Sequence, residues 1–190
     1  MTKLDRVQFI REWASKMRLI GGENDIGITD VRGMDLSGLD LSGINFSGLD
    51  LSRCNLDKCN LKGANLEGTK LIRATLNYSN LEGANMKFCN LLCADLQHAN
   101  LEKVDLEDAV CGNCDFTNAF FKDAKLDHAL FDGAWLGYAN FDNTSVKETV
   151  FNWADFDHTY VLETNLNDAF TEGARMMDIR YITKNQNKQK

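Results

Sequence analysis

The chain has 190 residues, 44% of them apolar, and a formal net charge of −7, which suits one packed domain with its own core. It contains no apolar run of the roughly 18 residues a membrane-spanning helix needs. Its charged start, Met1-Thr2-Lys3-Leu4-Asp5-Arg6, lacks the apolar stretch of a secretory signal, so the cytoplasm is the expected compartment. The charge is uneven: residues 30–168 carry 22 acidic against 11 basic side chains, a balance that speaks against direct contact with nucleic acid.

The first expected element is an amphipathic helix over residues 3–20. Thr2 and Asp5 form a capping-box-like start. Val7, Ile10, Trp13, Ala14 and Met17 then share one helical face, and Gly21-Gly22 stops the helix. Such a face would also suit a membrane surface, but the open end of a coil, next along the chain, is a nearer use for it.

From Val31 to Leu166 every fifth residue is apolar without a break, in 28 consecutive repeats. The residue two places earlier is Ala, Cys, Ser or Thr in 23 of the 28, and the position between is usually Asp or Asn. Five residues fit neither regular element. On an α-helix successive leucines would drift by about 140°, and on a straight strand they would alternate faces. Keeping them all inside requires one bend per repeat, and a chain that bends the same way every five residues closes into a coil. Asp, Asn, Ser and Gly at the intervening places are the residues turns prefer.

Runs such as Gly63-Ala64-Asn65-Leu66-Glu67 and Cys93-Ala94-Asp95-Leu96-Gln97 resemble the pentapeptide-repeat family, whose pattern is A(D/N)LXX. The resemblance covers roughly residues 29–170. It implies an all-β fold, a right-handed quadrilateral β-helix with four sides and 20 residues per coil, hence about seven coils. The resulting division is a capping helix at 1–22, the solenoid at 23–170, and a C-terminal partial coil or cap with a disordered tail at 171–190. Each coil buries its apolar side only against its neighbours, so both ends need covering. The helix is the expected plug for the first coil. There Met34, Leu39, Ile44 and Leu49 fill places that are small elsewhere and predict a wider interior.

The residues that invite chemistry are absorbed by this frame. Cys54, Cys59, Cys89 and Cys114 fall in the small interior slot and Cys111 in the leucine slot, leaving Cys93 alone facing out. No two cysteines are 20 apart, as a bridge between stacked coils would require, and Cys111-Gly112-Asn113-Cys114 lacks the second ligand pair of a zinc site. His98, His128 and His158 lie outside and do not converge. Glu82 with Glu102, and Asp95 with Asp115, stack on a wall that offers no pocket to shift their pKa values. No catalytic residue, cofactor or metal is therefore expected.

One outer face differs from the other three. Around Leu51, Leu71 and Leu91 its outward places hold Ile72, Leu92, Val110, Leu130, Val150 and Trp153, with few charges: Arg32, Arg53, Lys70 and Arg73 against Asp30, Asp50 and Asp132. The other three faces together carry 19 acidic and 7 basic groups. An apolar stripe over several coils predicts a surface for another protein or a second copy of this chain, or a resting place for a terminal segment. The reading is a non-catalytic interaction module or scaffold. The resemblance implies an alternative: some members of the family mimic duplex DNA and thereby inhibit or protect DNA gyrase, which would make gyrase the partner.

Overall fold

The computed structural model describes residues 2–19 and 31–180. The expected glycine stop at 21–22, the loop to residue 30 and the tail from 184 lie outside the described residues, as does the side chain of Met17.

The repeat becomes geometry through one operation. Parallel bridges join residue i to residue i + 20, from Asp35↔Asn55 to Tyr160↔Arg180, so four repeats complete a coil. Each side contributes one bridging residue, and no two consecutive residues bridge among the described residues; each face is a ladder of isolated bridges and not a set of extended strands.

The repeat at Leu56 shows why five residues suffice. Three of its amides donate to carbonyls of the adjoining coils: Leu56 to Thr75 (2.7 Å), Lys58 to Asn77 (2.8 Å) and Asn60 to Leu39 (2.9 Å). Cys59 N–H closes a turn on Leu56 C=O (3.1 Å). The fifth amide, Asp57, donates to Oδ1 of Asn55 (3.0 Å). All five are thus satisfied, and the Asp/Asn position is an Asx turn that takes the amide the ladder leaves over. The same bond recurs from Glu82 to Asn80, Glu102 to Asn100 and Thr117 to Asp115.

The third residue of each turn is left-handed while the second is not, the type II pattern. Glycine is the expected occupant, yet twenty such positions hold other residues, among them Phe88 and Trp153 at φ of 57° and 61°. Each costs about 1–2 kcal/mol in isolation. The amide bond to the next coil, such as Arg53 N–H to Ile72 C=O (2.9 Å), holds the backbone there.

Inside, the Leu/Phe centres and the small residues form separate columns, almost all fully buried. Buried hydroxyls and thiols in the small column donate to the carbonyl 23 residues back: Thr69 to Phe46 (2.8 Å), Cys89 to Leu66 (2.8 Å), Thr149 to Leu126 (2.8 Å). That is how Thr and Cys replace Ala without an unpaired polar group. Ser79 Oγ is the exception and is buried without a partner.

Helix α1 spans Lys3–Leu19, close to expectation. Thr2 and Asp5 exchange reciprocal bonds, Thr2 N–H to Asp5 Oδ2 (2.8 Å) and Asp5 N–H to Thr2 Oγ1 (3.1 Å). Ile10, Trp13 and Ala14 are buried in the same core as Leu36, Leu39 and Ile44, so the helix covers the first coil. Arg11 donates to the Ser42 carbonyl (2.9 Å) and Arg6 to that of Asp35. No backbone amide among the described residues donates to these carbonyls, and the two guanidiniums take its place.

At the far end one expectation needs correction. The frame does not stay regular to Leu166: Leu166–Asp168 is a single 3-10 turn, capped by Asn165, and Ser145 bridges nothing above it among the described residues. Past this turn the chain returns to the coil, with Phe170, Arg175 and Arg180 bridging Val150, Asp155 and Tyr160. No helix forms over residues 172–180.

Candidate interaction face

The Asx rule explains what is unusual about the distinct face. Its bridging ladder reads Asp50, Lys70, Asn90, Val110, Leu130, Val150, Phe170. Four successive rungs have exchanged Asp or Asn for an apolar side chain. The amides two places on, at Gly112, Asp132 and Asn152, therefore have no acceptor among the described residues. A hydrogen bond is worth about 0.5–1.5 kcal/mol net, so each of these three exchanges removes stability from the coil and leaves an apolar group in water, while at Phe170 the Glu172 amide donates to Oδ1 of Asn152 (3.0 Å) instead.

The predicted residues come together as one surface. Val110, Leu130 and Val150 are consecutive rungs, Leu130 being 40% exposed. Ile72 and Leu92 sit one coil apart beside them, and Leu92 packs against Gly112 of the next coil. Trp153, 70% exposed, stands at the edge of the face. Phe170, 57% exposed, completes the ladder. The period alone does not point to it, because it lies past Leu166, the last regular centre. Trp135 is also exposed, and bridges Asp155 two residues after Trp153, so the aromatic surface continues around the corner.

The N-terminal half of this face is cationic. A shallow depression there is lined by Arg32, Arg53, Lys70, Ile72, Arg73 and Leu92, among others. Burial alone would raise the Asp50 carboxyl beside it, but hydrogen bonds from Ser52 and the charges of Lys70 and Arg32 outweigh it and hold its pKa below the usual value.

The remaining candidates are dispersed. All six cysteines are free, five are buried and Cys93 is exposed, as the frame requires. Burial pushes the Cys89 and Cys114 thiols up to about 12 and Cys111 well above its ordinary value. Glu82 is paired with Lys62 (2.8 Å) and its carboxyl is lowered by that contact. His98 and His158 stack on Tyr78 and Tyr138, at 4.6 and 4.8 Å between centroids. His158 is less isolated than expected. Its Nδ1 is 3.0 Å from Asp157 and its Nε2 3.9 Å from Asp178, a grouping hidden until the coil is continued past residue 170. These ligand-type atoms lie within 4.8 Å of one another. The Arg175 guanidinium also holds Asp157 (3.1 Å), so the group is part of an ion-pair cluster. No described helix is long and apolar enough to cross a membrane.

A coil of four five-residue sides with a small–Asx–Leu pattern defines a class of repeat protein. The family model described as pentapeptide repeats (8 copies) matches residues 35–71, 69–108, 94–133 and 105–141, and the chain belongs to the pentapeptide repeat family, whose members form right-handed β-helices. Among solved structures, a trypsin-treated variant of QnrB1, a plasmid-mediated fluoroquinolone resistance protein, is 19% identical, with 80% of this chain and 77% of that one covered and a TM-score of 0.58. A pentapeptide repeat protein of the Arabidopsis thaliana thylakoid lumen is 30% identical, with 59% and 71% covered and a TM-score of 0.47. HetL of the cyanobacterium Nostoc sp. strain PCC 7120, involved in heterocyst differentiation regulation, is 19% identical, with 87% and 92% covered and a TM-score of 0.34. At 19% identity the first is a likeness of fold alone. No curated protein is significantly similar to the sequence.

Proposed function

We propose that the chain is a non-catalytic interaction module, a right-handed four-sided rod whose working surface is the face from Arg32 to Phe170. The observation that carries this reading is the run of four apolar rungs, Val110, Leu130, Val150 and Phe170, where the fold prefers Asp or Asn. A rung that weakens its own turn and leaves an apolar side chain in water fits a surface meant to be covered. A photo-crosslinking amino acid in place of Leu130 should give a discrete protein adduct in cells. The adduct should vanish when Val150 is changed to Asp, and the same probe at Lys122 on the opposite face should give none. Equal adducts at both positions, or none at residue 130, would sink the reading.

Mimicry of duplex DNA toward gyrase is a second reading, favoured by the 19 acidic side chains of the other three faces. Duplex DNA presents one charge per about 1.7 Å, or about 20 over the roughly 34 Å of seven coils. The body's net of −11 falls short of that, and Lys62 and Lys87 neutralise part of it in ion pairs. A supercoiling assay with purified gyrase decides the matter: neither inhibition nor protection would remove gyrase as a partner.

A further inference from the structure

The face changes character along its length. Its first three coils are cationic and its later ones apolar, so any ligand that covers it must change character in the same order.

Two of the cations at the near end, Arg53 and Arg73, are not used by the fold, whereas Lys70 and Arg32 help to hold the Asp50 carboxyl below its usual value. Arg6 and Arg11 bond first-coil carbonyls, Arg175 holds Asp155 and Asp157, and Arg180 donates to the Tyr160 hydroxyl. Arg32 is likewise engaged. Arg53 and Arg73 are the two described arginines, among those whose side chains are placed, that have no bonded partner. They stand one above the other, 20 residues apart, on the rim of the depression that Lys70 and Ile72 also line.

Their backbone makes the absence more telling. Arg53 and Arg73 occupy left-handed positions, at φ of 62° and 57°. The residue below them in the same column is Gly33, and every such place in the first coil is glycine. The turn would be met with less strain by glycine, and the two guanidiniums add no bond to the solenoid.

We propose that this face binds a bipartite segment of another protein, an acidic cluster seated over Arg53, Arg73 and Lys70 that continues into an apolar run along Leu92, Val110, Leu130 and Val150. The proposal rests on the reading of this face as an interaction surface and names the chemistry of its partner. Guanidiniums favour carboxylates, which they bind bidentately. The lengths are modest. Arg32 to Arg73 spans about 10 Å and Leu92 to Phe170 about 19 Å at the spacing of stacked coils, so about three extended acidic residues and about six apolar ones suffice. A nucleic acid is disfavoured because the cationic stretch is short and the neighbouring faces are acidic, so a long polyanion would be repelled on both sides.

The test is fluorescence anisotropy with the full chain and a fluorescein-labelled ten-residue peptide of four acidic residues, one glycine and five apolar residues. Saturable binding is expected, weakened about tenfold or more in the Arg53→Gly/Arg73→Gly protein. The melting temperature of that variant should equal or exceed the wild-type value, because glycine relieves two strained turns; this separates lost binding from lost fold. Replacing the acidic residues of the peptide with lysine should abolish binding. The proposal is overturned if the wild-type chain does not bind the peptide, if the double variant binds it unchanged, or if the lysine peptide binds as well. It is equally overturned if a twelve-nucleotide thymidine oligomer binds more tightly, or if sedimentation shows that a second copy already covers the face. The two readings fail separately. Loss of the residue-130 crosslink on Val150→Asp, with peptide binding untouched by Arg53→Gly/Arg73→Gly, removes only the present proposal.

Discussion

The indole of Trp153 lies on Gly173, one coil further along: a Cβ added to Gly173 would stand 2.5 Å from Cε3 and 2.8 Å from Cδ2 of the ring. Glycine is required there twice over, by this close approach and by its φ of +66°. The contact fixes one side of the indole and leaves the rest exposed on the interaction face.

Gly173→Ala should therefore loosen the last coil. It combines a left-handed alanine, about 1 kcal/mol, with displacement of the ring. A loss of about 1–3 kcal/mol in equilibrium unfolding is expected, with a change in tryptophan emission as Trp153 is freed. Gly83→Ala, where nothing lies within 4 Å of the added carbon, serves as the control and should show the backbone component alone.

The thiols should divide sharply. In the native protein one of the six, Cys93, should react rapidly with an aromatic disulfide reagent, and the others only on denaturation. The raised pKa values of Cys89 and Cys114, about 12, keep them from forming thiolate near neutral pH. A second rapidly reacting thiol at pH 7 would contradict the packing of the small column.

Much of this is legible in the sequence because a strict period of five admits few structures. The apolar centres, the small column, the inward cysteines, the helical plug and the distinct face all come from counting. The remainder depends on atoms that a period does not show. The Asp/Asn place reads as generic turn chemistry, and only the bond from Asp57 N–H to Asn55 Oδ1 reveals why losing it at Val110 or Leu130 matters. Leu166 looks like any other centre, yet the chain makes a 3-10 turn there. Phe170 and Asp178 lie beyond that interruption, where the frame reads as a terminal cap, and so the end of the apolar ladder and the partner of His158 stay hidden until the coil is built.

Acid should destabilise the rod through carboxylates that the fold has lowered. Hydrogen bonds from Ser37 and Ser42 lower Asp35 and Asp40, and contacts with Lys62 and Lys87 lower Glu82 and Glu107. A carboxylate whose folded pKa lies below its unfolded value stabilises above the unfolded pKa, and that stability is lost as pH falls through the folded one. The thermal midpoint should thus be level from pH 7 to about 5 and decline below about 4.5, where the unfolded carboxyls begin to take up protons. A midpoint that rises on acidification would contradict the assigned contacts.

The central claim, that the apolar rungs serve a partner and not the coil, is tested most directly by returning them to the type the repeat prefers. The measurement is the equilibrium unfolding midpoint of the Val110→Asn/Leu130→Asn/Val150→Asn protein. The new side chains would supply acceptors to the amides of Gly112, Asp132 and Asn152, and Asn90 below already sets the pattern with its bond from Leu92 N–H (3.1 Å). A midpoint equal to or above that of the wild-type chain is expected. A clearly lower midpoint would show that Val110, Leu130 and Val150 hold the solenoid together, and the face would lose its claim to be a docking surface.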